Sequence, residues 1–305
     1  MAAAKWVLDR WNTCVTDALA GARSSAGIRG PVLARAPLDA GLAALRVGAS
    51  NPAPVFRPRV TSDPDVNRYG VGFLVRVSAD IGARIPAPVL DLSGLSAKDA
   101  PWIGVWVDEA VRNGVAGITI VPPPFTAGAK ASEKALAPMR GANVFLPPPG
   151  EAAILVSLAT GVLEPGAWVQ TFRTYARMRR SGLWPPLISD EQIEAGVPLA
   201  RYAILAAPAA KWSSPAVLTA LAGFRARGGV LVIEDGEAFS RRLDGWETSA
   251  AARALLGAPV ESGSTEWADV ASKAGIPKRP WLESVSARNV RAITGRAERF
   301  GTPGR

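Results

Sequence analysis

The sequence predicts an α/β protein built on parallel sheets, in two successive parts, the second an open, doubly wound sheet. Three observations lead there. The strand-like runs are continuously apolar rather than alternating, which is the pattern of strands covered on both faces. They alternate with longer helix-like segments, the rhythm of βαβ units. The 26 prolines and 30 glycines fall mostly between apolar runs and so punctuate them.

Residues 5–22 read as a helix, with Trp6, Leu8, Trp11, Val15 and Leu19 broadly on one side. "GPVLARAPL", from Gly30, reads as a short strand, and "NPAPVFRPRVTSDPDVNR" as a proline-rich loop. A helix is expected over "DVNRYGVGFLVRVSADIG", Asp65 to Gly82, then a strand in "IPAPVLDLSGL" ending at Asp91. "KDAPWIGVWVDEAVRNG" has Pro101 near its start and Gly114 at its end, the usual terminal asymmetry of a helix. "VAGITIVPPP" reads as another buried strand.

The rhythm restarts at Glu151. "AAILVSLA" predicts a strand, "GAWVQTFRTYARMRRSG" a helix stopping at Gly182, and "WPPLISDEQI" a short strand with a polar exit. "ARYAILAAPA" predicts a strand and "SSPAVLTALAGFRARGG" a helix. Its Ser-Ser-Pro opening supplies a hydroxyl cap and a proline at the first turn. "VLVIEDG" predicts the next strand and "TSAAARALLG" a short helix. After Gly257 periodicity fades, "ESGSTEWADVASKAGIPKRPW" is polar and turn-rich, and "VRAITGRAERFGTPGR" has room for one strand. The expected domains are therefore 1–150, 151–257 and an irregular basic tail, 258–305.

Composition excludes more than it assigns. The 305 residues include one cysteine, Cys14, and no histidine. No disulfide can form within the chain. Cys/His zinc sites, Ser-His-Asp triads and Cys-His pairs are likewise excluded. The formal net charge is +9, but the basic residues are scattered apart from Arg177–Arg180 and the tail, with no aromatic interleaving. A nucleic-acid partner is not expected. No apolar run reaches the roughly 18–20 residues of a membrane span, and Lys5, Asp9 and Arg10 interrupt the stretch a signal peptide keeps apolar. The expectation is a cytoplasmic protein with no membrane segment, no metal and no cofactor. "YGVGF" at Gly70 and Gly72 is too little for a phosphate-binding loop.

The order of parts over 151–257 resembles the glutamine-amidotransferase-like domain, often called the trimerisation domain, that follows the barrel in glycoside hydrolases of the beta-galactosidase type. "AAILVSLA", "FRTYARMRRSGLWPPLISDEQI" and "ARYAILAAPAAKWSSPAVLTALAGFRARGGVLVIEDG" carry the likeness. Upstream, "AAKWVLDRWNTCVTDAL", "DPDVNRYGVGFLVRVSADIGARIPAPVLDLSGL" and "WIGVWVDEAVRNGVAGITIVPPPF" resemble the later helices and strands of that barrel. The resemblance implies a partial (β/α) barrel, a carbohydrate ligand, and Asp91 where the family has its nucleophilic Glu. Asp is one methylene shorter, which retracts the attacking oxygen by roughly 1 Å. The family's acid/base Glu belongs to a barrel strand that would precede Met1. A retaining glycosidase needs a second carboxyl about 5–5.5 Å from the first. Amidotransferase chemistry is excluded, because it needs a nucleophilic Cys with a His partner.

Asp91 is thus the one catalytic candidate. Trp102 and Trp106, four apart, share a helix face that either packs in the core or stacks on a sugar. Asp108 and Glu109, in the same helix, read as surface residues. Trp168, Trp184 and Trp212 lie near element ends and suit a groove or an oligomer interface. At the strand ends of the second part, Pro208, Lys211, Glu234 and Asp235 outline a crevice, where open sheets bind ligands. Binding of a small molecule in that crevice, near Pro208, Lys211 and Glu234, is one function to expect, and two others follow from the resemblance. One is a truncated glycoside-hydrolase-like protein with weak or absent hydrolysis. The other is a non-enzymatic interaction module, pairing with a second copy or with a complementary barrel half.

Overall fold

The computed structural model describes residues 55–81, 86–137, 150–164, 166–243, 246–258 and 265–276. The helix expected over 5–22, the strand after Gly30 and the strand in the C-terminal tail lie outside the described residues. The fold is α/β with parallel sheets. Residues 55–137 and 150–276 fall in separate compact units.

In the first unit, β1 (Val55–Phe56), β2 (Val89–Asp91) and β3 (Thr119–Val121) form a parallel sheet in sequence order. Val55 and Phe56 pair with Val89 and Leu90, and Asp91 with Val121. β1 lies in the proline-rich run expected to be a loop. Two residues between prolines give no periodicity to read, and only pairing with β2 makes them a strand. Helix α1 (Pro64–Arg76) opens on Asp63, whose carboxylate accepts the Asp65 N–H at 2.8 Å. A π-helical turn, Val77–Ile81, continues it. Helix α2 (Ala100–Arg112) follows a capping box in which Ser96 Oγ donates to Asp99 at 2.6 Å. It ends at Gly114, whose φ of 93° is left-handed. Helix α3 (Thr126–Leu136), rich in Ala and Lys, has too weak an apolar stripe to be read in the sequence. α1 packs on α2, and α2 on α3.

α1 and α2 meet through polar groups as well as apolar ones. The Trp106 indole N–H donates to the Asn67 carbonyl at 2.7 Å. Gly72 of α1 faces Glu109 and Asn113, both buried, and a β-carbon at Gly72 would lie 2.6 Å from the Glu109 carboxylate. Glu109 is therefore an inter-helix residue, not the surface one its mid-helix position suggested. Asp108 pairs with Arg112 at 2.6 Å.

The second unit centres on a four-stranded parallel sheet. Its strands are β4 (Ala152–Val156), β5 (Leu187–Ser189), β6 (Ile204–Ala207) and β8 (Val230–Ile233), in the order β5-β4-β6-β8. Every residue of β4 and β6 is buried, as expected for strands covered on both faces. Between β4 and β5 run α4 (Leu158–Leu163) and α5 (Gly166–Arg180). α6 (Asp190–Glu194) follows β5, and α7 (Pro215–Ala226) links β6 to β8. Ala153, Leu155, Leu205 and Ala207 share one core with Val217, Leu221 and Phe224 of α7. α5 packs on β4.

Within 265–276 a helix forms where polarity suggested none. α9 (Trp267–Lys273) packs on α5 and buries Trp267 to 1% exposure. One aromatic anchor on a short helix leaves no periodic pattern in sequence. A two-stranded parallel pair, β7 (Trp212–Ser213) with β9 (Arg241–Arg242), and the short α8 (Ala250–Ala254) complete the described unit.

The Gly228-Gly229 turn uses its two glycines differently. Gly228 has φ 89°, the left-handed stop of α7. At Gly229 a β-carbon would meet the Phe224 ring at 2.4 Å, and Phe224 is 2% exposed. Gly229→Ala is expected to destabilise this unit by about 1–3 kcal/mol through overpacking. Gly228→Ala is expected to lose about 1 kcal/mol. Urea unfolding of the two variants checks the ranking.

Candidate functional site

Counting β4 first, the sheet order is second-first-third-fourth, so the winding reverses between β4 and β6. Such a switch point opens a crevice at the carboxyl ends of the strands, and side chains converge there. Here a buried network fills it. Ser157, just after β4, caps α4 by accepting the Thr160 N–H at 3.2 Å. Its Oγ lies 2.8 Å from Thr160 Oγ1, 3.0 Å from the Trp212 carbonyl and 3.3 Å from Asp190. Thr160 Oγ1 accepts the Trp212 N–H at 2.9 Å, which ties the start of β7 to α4.

Asp190, just after β5, completes the network. Its Oδ1 accepts the N–H groups of Leu158 at 3.2 Å and of Glu191 at 3.0 Å. Burial pushes its carboxyl up to about 6, against the opposing pull of those two N–H donors. Sequence reading missed Ser157, Thr160 and Asp190. The "polar exit" of "ISDEQI" was their one signal, and its Ser189-to-Gln192 capping box accounted for it locally.

The four crevice residues expected from sequence do not converge on one point. Pro208 is buried at the exit of β6. Glu234 turns toward α5, where Arg177 Nη2 lies 2.7 Å from each carboxylate oxygen and the Thr174 hydroxyl donates to one of them. Asp235 accepts the Glu237 N–H at 2.9 Å and closes the turn after β8. Lys211 pairs with Glu164 at 3.1 Å and with Glu237, so Glu237 links the Lys211 and Asp235 loops. Beside them Phe239, 1% exposed, holds a left-handed φ of 59° while its N–H donates to the Ala210 carbonyl at 2.7 Å. That conformation is unfavourable for a bulky residue and persists only because the packing fixes it.

In the first unit Asp91 ends β2 and is 6% exposed. Arg57 Nε donates to its Oδ2 at 3.0 Å, while Ser93 Oγ donates to its Oδ1 at 2.6 Å and the Ser93 N–H at 3.2 Å. Burial pushes the Asp91 carboxyl up, but the Ser93 and Arg57 hydrogen bonds outweigh it and hold it below the usual carboxylate range. Asp91 is therefore an ionised carboxylate with a donor on each oxygen.

Compared with protein-family models, with curated proteins and with solved structures, the chain has no match. The chemistry must be read from the side chains themselves.

Trp106 is 1% exposed and presents no ring face on which a sugar could stack, whereas Trp102 is half-buried. Of the other tryptophans, Trp168 is buried and Trp184 lies under the Arg179 guanidinium, 3.4 Å from its ring centre. Among the described residues no group of three or more Asp, Glu or Cys is placed to hold a metal ion, and no helix is long and apolar enough to cross a membrane.

Proposed function

We propose that this chain is a glycoside-hydrolase-like, carbohydrate-active scaffold with weak or absent hydrolysis of its own. It joins part of a (β/α) barrel to an amidotransferase-like sheet of flavodoxin-like order. Sequential parallel strands with helices packed on one another support the barrel part. The β5-β4-β6-β8 order supports the second part.

The state of Asp91 carries the reading. A retaining nucleophile must be ionised, and Arg57 and Ser93 keep it so. The same donors cover both of its oxygens, and among the described residues the side chains bonded to it are a guanidinium and a hydroxyl, not a second acid. Two-carboxylate hydrolysis requires a proton-donating partner about 5–5.5 Å away. Among the described residues Asp190 is the carboxyl whose proton affinity is raised, and its oxygens are held in its own hydrogen-bond network.

The test is hydrolysis of aryl glycosides by the purified chain and by Asp91→Asn. Both are expected to give the same rate, within about threefold of the buffer blank. A wild-type rate roughly a hundredfold above Asp91→Asn would overturn the proposal and install Asp91 as nucleophile.

A further inference from the structure

We infer that the groove between α7 and α8 is a docking site for an acidic amphipathic helix of a partner protein. The inference is independent of the reading of Asp91. The groove encloses about 710 Å³, and Leu218, Ala222, Gly223, Ala226, Ala252 and Leu255 line it. Leu218, Ala222 and Ala226 are spaced four apart along α7, and Thr219 and Gly223, also four apart, line the groove beside them. Small residues there let a second backbone approach closely. A β-carbon on Gly223 would meet only the tip of Arg227, at 3.3 Å. Leu255 on the rim is 64% exposed, a large apolar side chain that a docked apolar face would cover.

Charge selects the occupant. Residues 214–229 and 248–258, which hold both walls, contain no Asp or Glu. Arg225, Arg227 and Arg253 are all exposed on these same segments. Arg225 donates to the Leu255 carbonyl at 2.9 Å, which holds its cation at the rim with no carboxylate partner on either wall. A second copy docked across a twofold axis would bring these arginines against their own counterparts, which is unfavourable. A helix with a Leu/Ala face flanked by Glu satisfies both the floor and the rim.

The test uses the full chain and two fluorescein-labelled peptides that share a Leu/Ala face and differ in carrying Glu or Lys on the flanks. Anisotropy is expected to show at least about tenfold tighter binding of the Glu peptide, weakening with salt. Arg225→Glu with Arg253→Glu is expected to abolish the preference, and Leu255→Ser to weaken binding roughly tenfold. Arg59→Glu with Arg68→Glu, exposed residues of the other unit, is expected to leave binding unchanged. Circular dichroism verifies that each variant is folded. Three results would overturn the inference: no binding of the Glu peptide, equal loss in the Arg59/Arg68 control, or a dimer in light scattering that Leu255→Ser dissolves. The last would assign the groove to a second copy.

Discussion

Replacing Arg177 by methionine is expected to destabilise the unit of residues 150–276 by about 3–5 kcal/mol, the usual loss when one partner of a buried ion pair is removed. The Glu234 side chain is 1% exposed, and Arg177 Nη2 lies 2.7 Å from both of its oxygens. Without that guanidinium the Thr174 hydroxyl is the remaining side-chain donor to the carboxylate among the described residues. A buried charge left without its cation keeps the cost of leaving water and loses the attraction that offset it, which weakens the fold. The double variant Arg177→Met, Glu234→Gln removes the charge with its partner and is expected to recover at least half of the loss. Urea unfolding, followed by hydrogen exchange of peptides from this unit, reads both. If the single and double variants lose equal stability, the pair is not electrostatically coupled. The pair joins the end of β8 to α5, so its loss is expected to appear first as exchange in those two elements.

Asp190→Asn is expected to act in the opposite direction, stabilising the same unit at neutral pH. The folded carboxyl is pushed up to about 6 from an ordinary 3.8. The folded state therefore binds the proton more tightly than the unfolded chain does. The contribution of this group to stability is fully present below about pH 4, is lost as pH rises through about 6, and stays lost above it. A difference of about two pH units corresponds to about 3 kcal/mol, which is the upper limit of the gain on neutralising the group. Asn keeps an oxygen for the Leu158 and Glu191 N–H groups and presents its amide toward Ser157. The expected gain is about 1–3 kcal/mol at pH 7.5, and the gain of the variant over wild type is expected to grow between about pH 4 and 6. Denaturant titrations at several pH values measure this. A difference between variant and wild type that shrinks or stays constant through that interval would contradict the assignment. A carboxylate kept in the switch-point crevice at a cost to stability is where a natural sequence departs from the most stable choice.

Which elements could be read from the chain follows from how locally each is specified. The helices α1, α2, α5 and α7 carry their own instructions: Asp63-Pro64, Ser96 with Pro101, and Ser214-Pro215 at their starts, and Gly114, Gly182 and Gly228 with left-handed φ at their ends. The strands β2, β4, β5 and β6 are fully buried apolar runs, β3 and β8 are partly buried ones, and all six were visible as apolar runs. β1, β7 and β9, with two residues each, exist only through pairing, and α9 only through the burial of Trp267. The site was less legible for the same reason. Glu234 and Lys211 lie close in the chain to the crevice they suggested, yet their partners, Arg177 and Glu164, come from the segment after β4.

The sequence by itself determined the α/β class and the parallel character of its sheets. It also determined the exclusion of all histidine and paired-cysteine chemistry, because composition and periodicity are properties of the chain alone. Only the tertiary structure decided that Asp91 and Glu234 meet a guanidinium, that Asp190 is buried in a hydrogen-bond network, and where an acid-free groove opens between α7 and α8. Proton affinity and ion pairing depend on distances of a few ångströms between groups 30 to 60 positions apart, and no local pattern encodes those distances.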